Sequence, residues 1–140
     1  MWIEGRIFKT KGKSHWAAEV DSLAVHTQGR TKKDATAMLV DAIDMLADDY
    51  GVTLSVRIIP GDGDAVSVGS DDHKAMLAFL LRRQRQVNKL TIQDVAERMG
   101  SRSKTAYARY EQGKVEPTLS KLEELMAAIN PGLRPVFHIA

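Results

Sequence analysis

The sequence predicts an α+β protein in two parts, β-β-β-α-β-β over residues 1–69 and an all-α part over residues 70–140 that ends in an extended tail. Three observations carry this. Residues 2–9, WIEGRIFK, alternate as a strand does. Ala35, Met38, Leu39, Ala42, Ile43 and Leu46 recur at helical spacing and make one apolar stripe. Beyond the small polar stretch Gly69-Ser70-Asp71-Asp72, the apolar period stays helical through to Ile129.

In the first part, Lys11-Gly12-Lys13 turns the chain after the first strand. His15–Val20 and Leu23–Thr27 read as the second and third strands, and Gln28-Gly29-Arg30 breaks the pattern. The helix runs from Thr31 to Tyr50, with Thr31 as its cap, Asp34 three residues on, and Gly51 closing the far end. Val52–Ile59 is rich in β-prone residues, Ala65–Val68 forms a short fifth strand, and residues 60–64, PGDGD, turn between them.

In the second part, Ser70 or Asp71 can cap a helix over His73–Val87, with Met76, Leu77, Leu80 and Leu81 inward and Arg82, Arg83 and Arg85 exposed. Thr91 to Met99 is a short helix stopped at Gly100. Ser103–Gln112 is another, with Ser101 or Ser103 as cap. Tyr107 and Tyr110, three residues apart, pack inward and leave Lys104, Thr105, Ala108 and Arg109 outward. Thr118–Ile129 is the last helix, with Leu119, Leu122, Leu125, Met126 and Ile129 inward, and Arg134–Ala140 is extended. Such an apolar edge invites pairing with a second copy, so a homo-oligomer, a dimer first of all, is expected.

Two short helices joined at a glycine, the second loaded with polar and basic side chains, is the pattern of a helix-turn-helix. Charge points the same way. Residues 1–70 hold 8 Lys+Arg against 10 Asp+Glu, whereas residues 71–140 hold 12 against 8. The excess is densest from Arg82 to Lys114, the footprint of a polyanion binder. The absence of cysteine excludes disulfides and thiolate metal sites and fits a reducing compartment. The longest apolar run is far below the roughly 20 residues of a membrane span, and the N-terminus has no apolar signal core, so a cytoplasmic protein without membrane association is expected.

Leu90, Thr91, Val95, Ala96, Met99, Gly100, Tyr110, Glu111, Gly113 and Pro117 together resemble the lambda-repressor/Cro-like (XRE) family of DNA-binding domains. Counted back from Glu111, that resemblance implies base contacts at Lys104, Thr105 and Arg109. It also places Ser103 near the DNA backbone, and from the basic excess Arg82, Arg83, Arg102 and Lys114 are the expected phosphate contacts on a double-stranded operator. The turn after Gly100 is one residue longer than usual, and Ile92 stands where the family often has Gln.

Residues 16–20, WAAEV, with Thr27-Gln28-Gly29, Thr31, Asp34, Ala35, Leu39, Ala42 and Ile43, resemble the antitoxin subunits of HicAB toxin-antitoxin systems. The resemblance implies a reduced ribonuclease-H-like fold without catalysis. It also implies a cognate HicA-type ribonuclease toxin as partner and repression of the shared operon. Because such toxins are basic, Asp41, Asp44, Asp48 and Asp49 are candidates for the toxin-binding face. The alternative is a stand-alone transcription regulator whose first domain senses a small molecule or mediates assembly.

Enzymatic chemistry is not expected. His15, His26, His73 and His138 fall on different predicted elements with no paired metal-ligand spacing. Asp62-Gly63-Asp64 lacks the closing acid of a calcium loop, since His73 stands there. Glu4, Glu19, Asp21 and Asp48 are the carboxylates available for two-metal hydrolysis, but strand alternation does not bring them to one face. No cofactor fingerprint is present, and neither a metal nor a cofactor is expected.

Overall fold

Alternation in the first strand sets up the N-terminal sheet. The structure, a computed structural model, describes residues 1–137, and its chain divides into two units, Met1–Met76 and Leu77–Ala140. The first unit contains β1 (Trp2–Lys9), β2 (Trp16–Val20), β3 (Val25–Gly29), α1 (Lys32–Asp49), β4 (Arg57–Pro60) and β5 (Ala65–Gly69). The strands form one sheet in the order β3-β2-β1-β5-β4, with every neighbouring pair antiparallel. Ile7 lies opposite Ala18, Val20 opposite Val25, and Ile3 opposite Val68. Ile7, Ala18, Val20, Val25, Val66 and Val68 are buried, as are Ala35, Leu39, Ile43 and Ala47 of α1. The alternate residues face away: the Arg6 guanidinium stands 4.9 Å over the Phe8 ring, and that of Arg57 5.4 Å over Trp2.

Capping fixes the helix. Thr31 Oγ1 accepts the Asp34 N–H at 3.0 Å, and Gly51, at φ +68°, lets the Gly51 and Val52 N–H groups reach Asp48 and Ala47 oxygens.

Three expectations need correction here. The third strand begins at Val25, because Asp21–Leu23 forms a 3₁₀ turn that buries Leu23 and leaves Ala24 left-handed at φ 49°. Of the run Val52–Ile59, only Arg57 onward pairs. Its neighbour β5 ends at Gly69, opposite Arg57, so residues 52–56 have no strand to bond to. Met38 is 47% exposed, because the buried ridge is the strict i, i+4 row of Ala35, Leu39, Ile43 and Ala47.

The helix α2 (His73–Val87) carries the division between the units, and α3 (Ile92–Arg98), α4 (Lys104–Glu111) and α5 (Leu119–Ile129) follow. Its cap is Asp72, whose Oδ1 accepts the Ala75 N–H at 3.0 Å, while Ser70 Oγ accepts the Asp72 N–H. The buried side chains of the second unit include Leu77, Phe79, Leu81, Val95, Ala96, Tyr107, Leu125, Met126 and Ile129. Leu119, expected inward, is 61% exposed in the first turn of α5. Residues 134–137 form no strand, and the rest of the expected tail, residues 138–140, lies outside the described residues. Among the described residues, no helix is long and apolar enough to cross a membrane.

Candidate nucleic-acid interface

The polar pair α3 and α4 is built by local signals at every end. Thr91 and Asp94 form a reciprocal capping box at α3: Thr91 Oγ1 accepts the Asp94 N–H at 3.0 Å, and Asp94 Oδ2 accepts the Thr91 N–H at 2.8 Å. Those Thr91 hydrogen bonds hold the Asp94 carboxyl below its ordinary pKa. At the other end, Gly100 takes φ +72°, which lets the Gly100 N–H bond Glu97 O and the Ser101 N–H bond Ala96 O.

Ser103 is the backbone N-cap of α4, but its side chain makes no capping bond. Instead, the Ser101 hydroxyl accepts the Ser103 N–H and donates to the Ser103 carbonyl, both at 3.2 Å, which stiffens the longer turn. Gly113, at φ +66°, then ends α4, with the Lys114 N–H on Arg109 O.

The register of α4 follows from what is beneath it. Tyr107 and Glu111 are buried, four residues apart. Lys104, Thr105, Ala106, Arg109 and Gln112 are exposed, and Tyr110 and Ala108 are half-buried. Thr105, Arg109 and Gln112 stand at i, i+4 and i+7, so they form one outward ridge. Lys104 flanks this ridge at the helix start. Gln112 and Ala106 were missed as candidates, although the i+7 step from Thr105 is readable in the sequence.

Beneath the ridge lies a polar cluster that the sequence did not announce. Arg85 Nε donates to Glu111 Oε1 at 2.5 Å and Nη2 to Oε2 at 3.0 Å, a two-pronged pair with side chains only 12% and 6% exposed. Arg85 Nη1 also donates to Leu90 O at 2.9 Å, and Tyr107 Oη to Glu111 Oε1 at 2.6 Å. Arg85 therefore ties α2 to α4 and to the link that precedes α3. Burial, with the adjacent Glu111 carboxylate, pushes the Tyr107 phenol far above its ordinary range and keeps it a donor. The hydrogen bond to Glu111 raises the Arg85 pKa further.

This corrects the expectation that Arg82, Arg83 and Arg85 are exposed. All three are half-buried: Arg85 keeps only 12% of its side chain exposed, and Arg82 and Arg83 are engaged by other groups of the protein. The proposed backbone residues Arg102, Ser103 and Lys114 are exposed around α4.

Lys89, between α2 and α3, is exposed and left-handed at φ 57°, with its N–H on Gln86 O and the Leu90 N–H on Arg85 O. Glycine is the usual residue for that stop. Lys89→Gly should therefore raise stability by about 0.5–1 kcal/mol, relief of left-handed strain set against the greater freedom of glycine in the unfolded chain. A urea-unfolding midpoint that falls instead would refute this.

Among the four carboxylates weighed for metal chemistry, Glu19 and Asp21 do approach one another, and His26 joins them. Glu19 is already committed, because Arg6 Nε donates to its Oε1 at 3.0 Å and His26 Nδ1 lies 3.7 Å from Oε2. Asp48 is on α1, which packs on the Ala18 and Val20 face of the sheet, the face opposite Glu19. Of the acids named for a toxin face, Asp41, Asp48 and Asp49 are exposed, but Asp44 is half-buried with Oδ1 enclosed. Burial raises the Asp44 pKa, the Val56 N–H lowers it, and Asp48 and Asp41 raise it.

No curated protein is significantly similar to the chain. Residues 76–130, the span from α2 through α5, match the family model of a helix-turn-helix domain, which supports a DNA-binding role for the C-terminal part of the chain.

Proposed function

We propose that the chain is an antitoxin of the HicB type, which represses its own operon through the helix-turn-helix domain and blocks a small basic ribonuclease through its N-terminal unit. The observation that carries the DNA-binding half is the ridge of Thr105, Arg109 and Gln112, presented over the locked Tyr107–Glu111–Arg85 cluster. A recognition helix must hold its side chains in fixed register against base edges. Arg109 suits guanine O6/N7, Gln112 adenine N6/N7, and Lys104 and Thr105 the adjoining base edges. Arg102, Ser103 and Lys114 supply phosphate contacts. A dimer would set two such helices in successive major grooves, about 34 Å apart.

The antitoxin half is supported by the antiparallel β3-β2-β1 order with α1 after it, consistent with a reduced ribonuclease-H-like scaffold, and by the acids of α1. We assign it binding and no catalysis, since Arg6 occupies Glu19 and Asp48 lies on the helix that covers the sheet face opposite Glu19. A nuclease assay with divalent metal that shows turnover would reverse that assignment.

Arg109→Ala is expected to weaken operator binding by about 1–3 kcal/mol and to relax one base position, whereas Lys114→Ala weakens all sequences alike and lowers the salt slope by about one. Titrations against operator and scrambled DNA distinguish them. Equal affinity and selectivity for Arg109→Ala and the unaltered protein would remove Arg109 from the interface.

A further inference from the structure

Helix α1 has a second ordered face. Asp34, Met38, Asp41, Met45 and Asp48 recur at steps of four, three, four and three residues, the 3.5-residue period of a helix that seats another helix along one seam. They fall on the ridge opposite the buried Ala35, Leu39, Ile43 and Ala47. Met45 is 70% exposed and Met38 47%, and the three aspartates are exposed too. The ridge extends for about 21 Å at 1.5 Å per residue.

Its charge is uncompensated. No Lys or Arg occurs from Asp34 through Val56. Among the described residues, the ion pairs are made by other groups and not by Asp34, Asp41 or Asp48. A solvated helix face ordinarily mixes both signs and exposes few large apolar side chains. This one alternates free carboxylates with flexible, polarizable thioethers, a side chain suited to adaptable contact. A second copy of the same ridge would set carboxylate against carboxylate, so charge excludes self-pairing along it.

We propose that this ridge docks a helix of a small basic protein, with Met38 and Met45 entering apolar hollows between Lys or Arg side chains that meet Asp34, Asp41 and Asp48. The assignment rests on the antitoxin reading above and gives it a surface. It also narrows the acidic set, since Asp44 turns inward and Asp49 lies at the edge of the seam.

The test is to search the reading frames flanking the gene for a short basic polypeptide and to co-express it with the full chain, with affinity measured by calorimetry and neutralisation by growth; the absence of any such frame counts against the antitoxin reading itself. Met45→Asp and the double variant Asp41→Lys/Asp48→Lys should each weaken the complex by about 10–100-fold and impair neutralisation, because a central anchor and two opposed charges are lost. Circular dichroism, thermal midpoint and operator binding should stay unchanged, since all three positions are exposed. Glu4→Lys, a charge change on the other face of the sheet, should leave the affinity intact. If the unaltered chain binds and both variants bind equally well, or if Glu4→Lys is as damaging, the docking ridge is wrong while the antitoxin reading stands. If the unaltered chain does not bind that polypeptide, both fall.

Discussion

Glu111→Ala is expected to lower the stability of the helix-turn-helix unit by about 3–5 kcal/mol, the range for removing one partner of a buried ion pair. The loss comes from what remains. Arg85 would keep its charge with 12% of its side chain exposed and no carboxylate, and the Tyr107 hydroxyl would lose its acceptor. Against a typical total of about 5–15 kcal/mol, that loss is a large share of the stability of so small a domain. Replacing both partners, Arg85→Met with Glu111→Leu, should recover most of it, because the cost of desolvating two ions disappears together with their attraction. Adding Tyr107→Phe should recover more by removing the orphaned donor. Urea unfolding of the series separates the contributions, and a Glu111→Ala loss below about 1 kcal/mol would mean that the pair behaves as a solvated surface bridge. Operator affinity should track stability in the single variant. The double variant is more informative, since a stable domain with weakened binding would show that the pair also sets the position of α4.

What the sequence disclosed and what it hid divide along a physical line. The ends of α3, the register of Tyr107 against Arg109, and the stops at Gly51, Gly100 and Gly113 rest on interactions within a few residues, and all were readable. The Arg85–Glu111 pair spans 26 positions, so helical periodicity could only treat Arg85 as one more surface cation and Glu111 as a register mark. Met38 lay at the edge of an apolar stripe whose width composition cannot define, and only packing on the sheet put it outside. The β-prone run from Val52 had the right propensity, but a strand needs a partner of equal length, and that length was set by where β5 ends. At the candidate interface, residue type and spacing gave Thr105 and Arg109, whereas the partial burial of Arg82 and Arg83 depended on tertiary surroundings.

Gly29→Ala is expected to cost the N-terminal unit about 3 kcal/mol, the upper end of the overpacking range. Gly29 closes β3, and the first turn of α1 lies directly over it: a Cβ there would sit 2.3 Å from Ala35 N and 2.7 Å from Asp34 C. Those atoms are backbone and cannot swing aside. Ala35 N is moreover the donor of a first-turn hydrogen bond to Thr31 O at 2.9 Å, so α1 must lift at its capped end or lose that turn. Lifting it withdraws Ala35 and Leu39 from the sheet. Both tryptophans, Trp2 and Trp16, lie in this unit, on β1 and β2, so their fluorescence follows its unfolding without a signal of the same kind from the helix-turn-helix domain. Gly12→Ala is the control, because Gly12 is left-handed at φ +74° with open space around its Cβ position, and only backbone strain of about 1–2 kcal/mol applies. A midpoint for Gly29→Ala no lower than that for Gly12→Ala would show that α1 yields freely at its start. The larger loss would show that the glycine is required by the close approach of helix to strand, the same approach that holds the Asp34–Asp48 ridge outward.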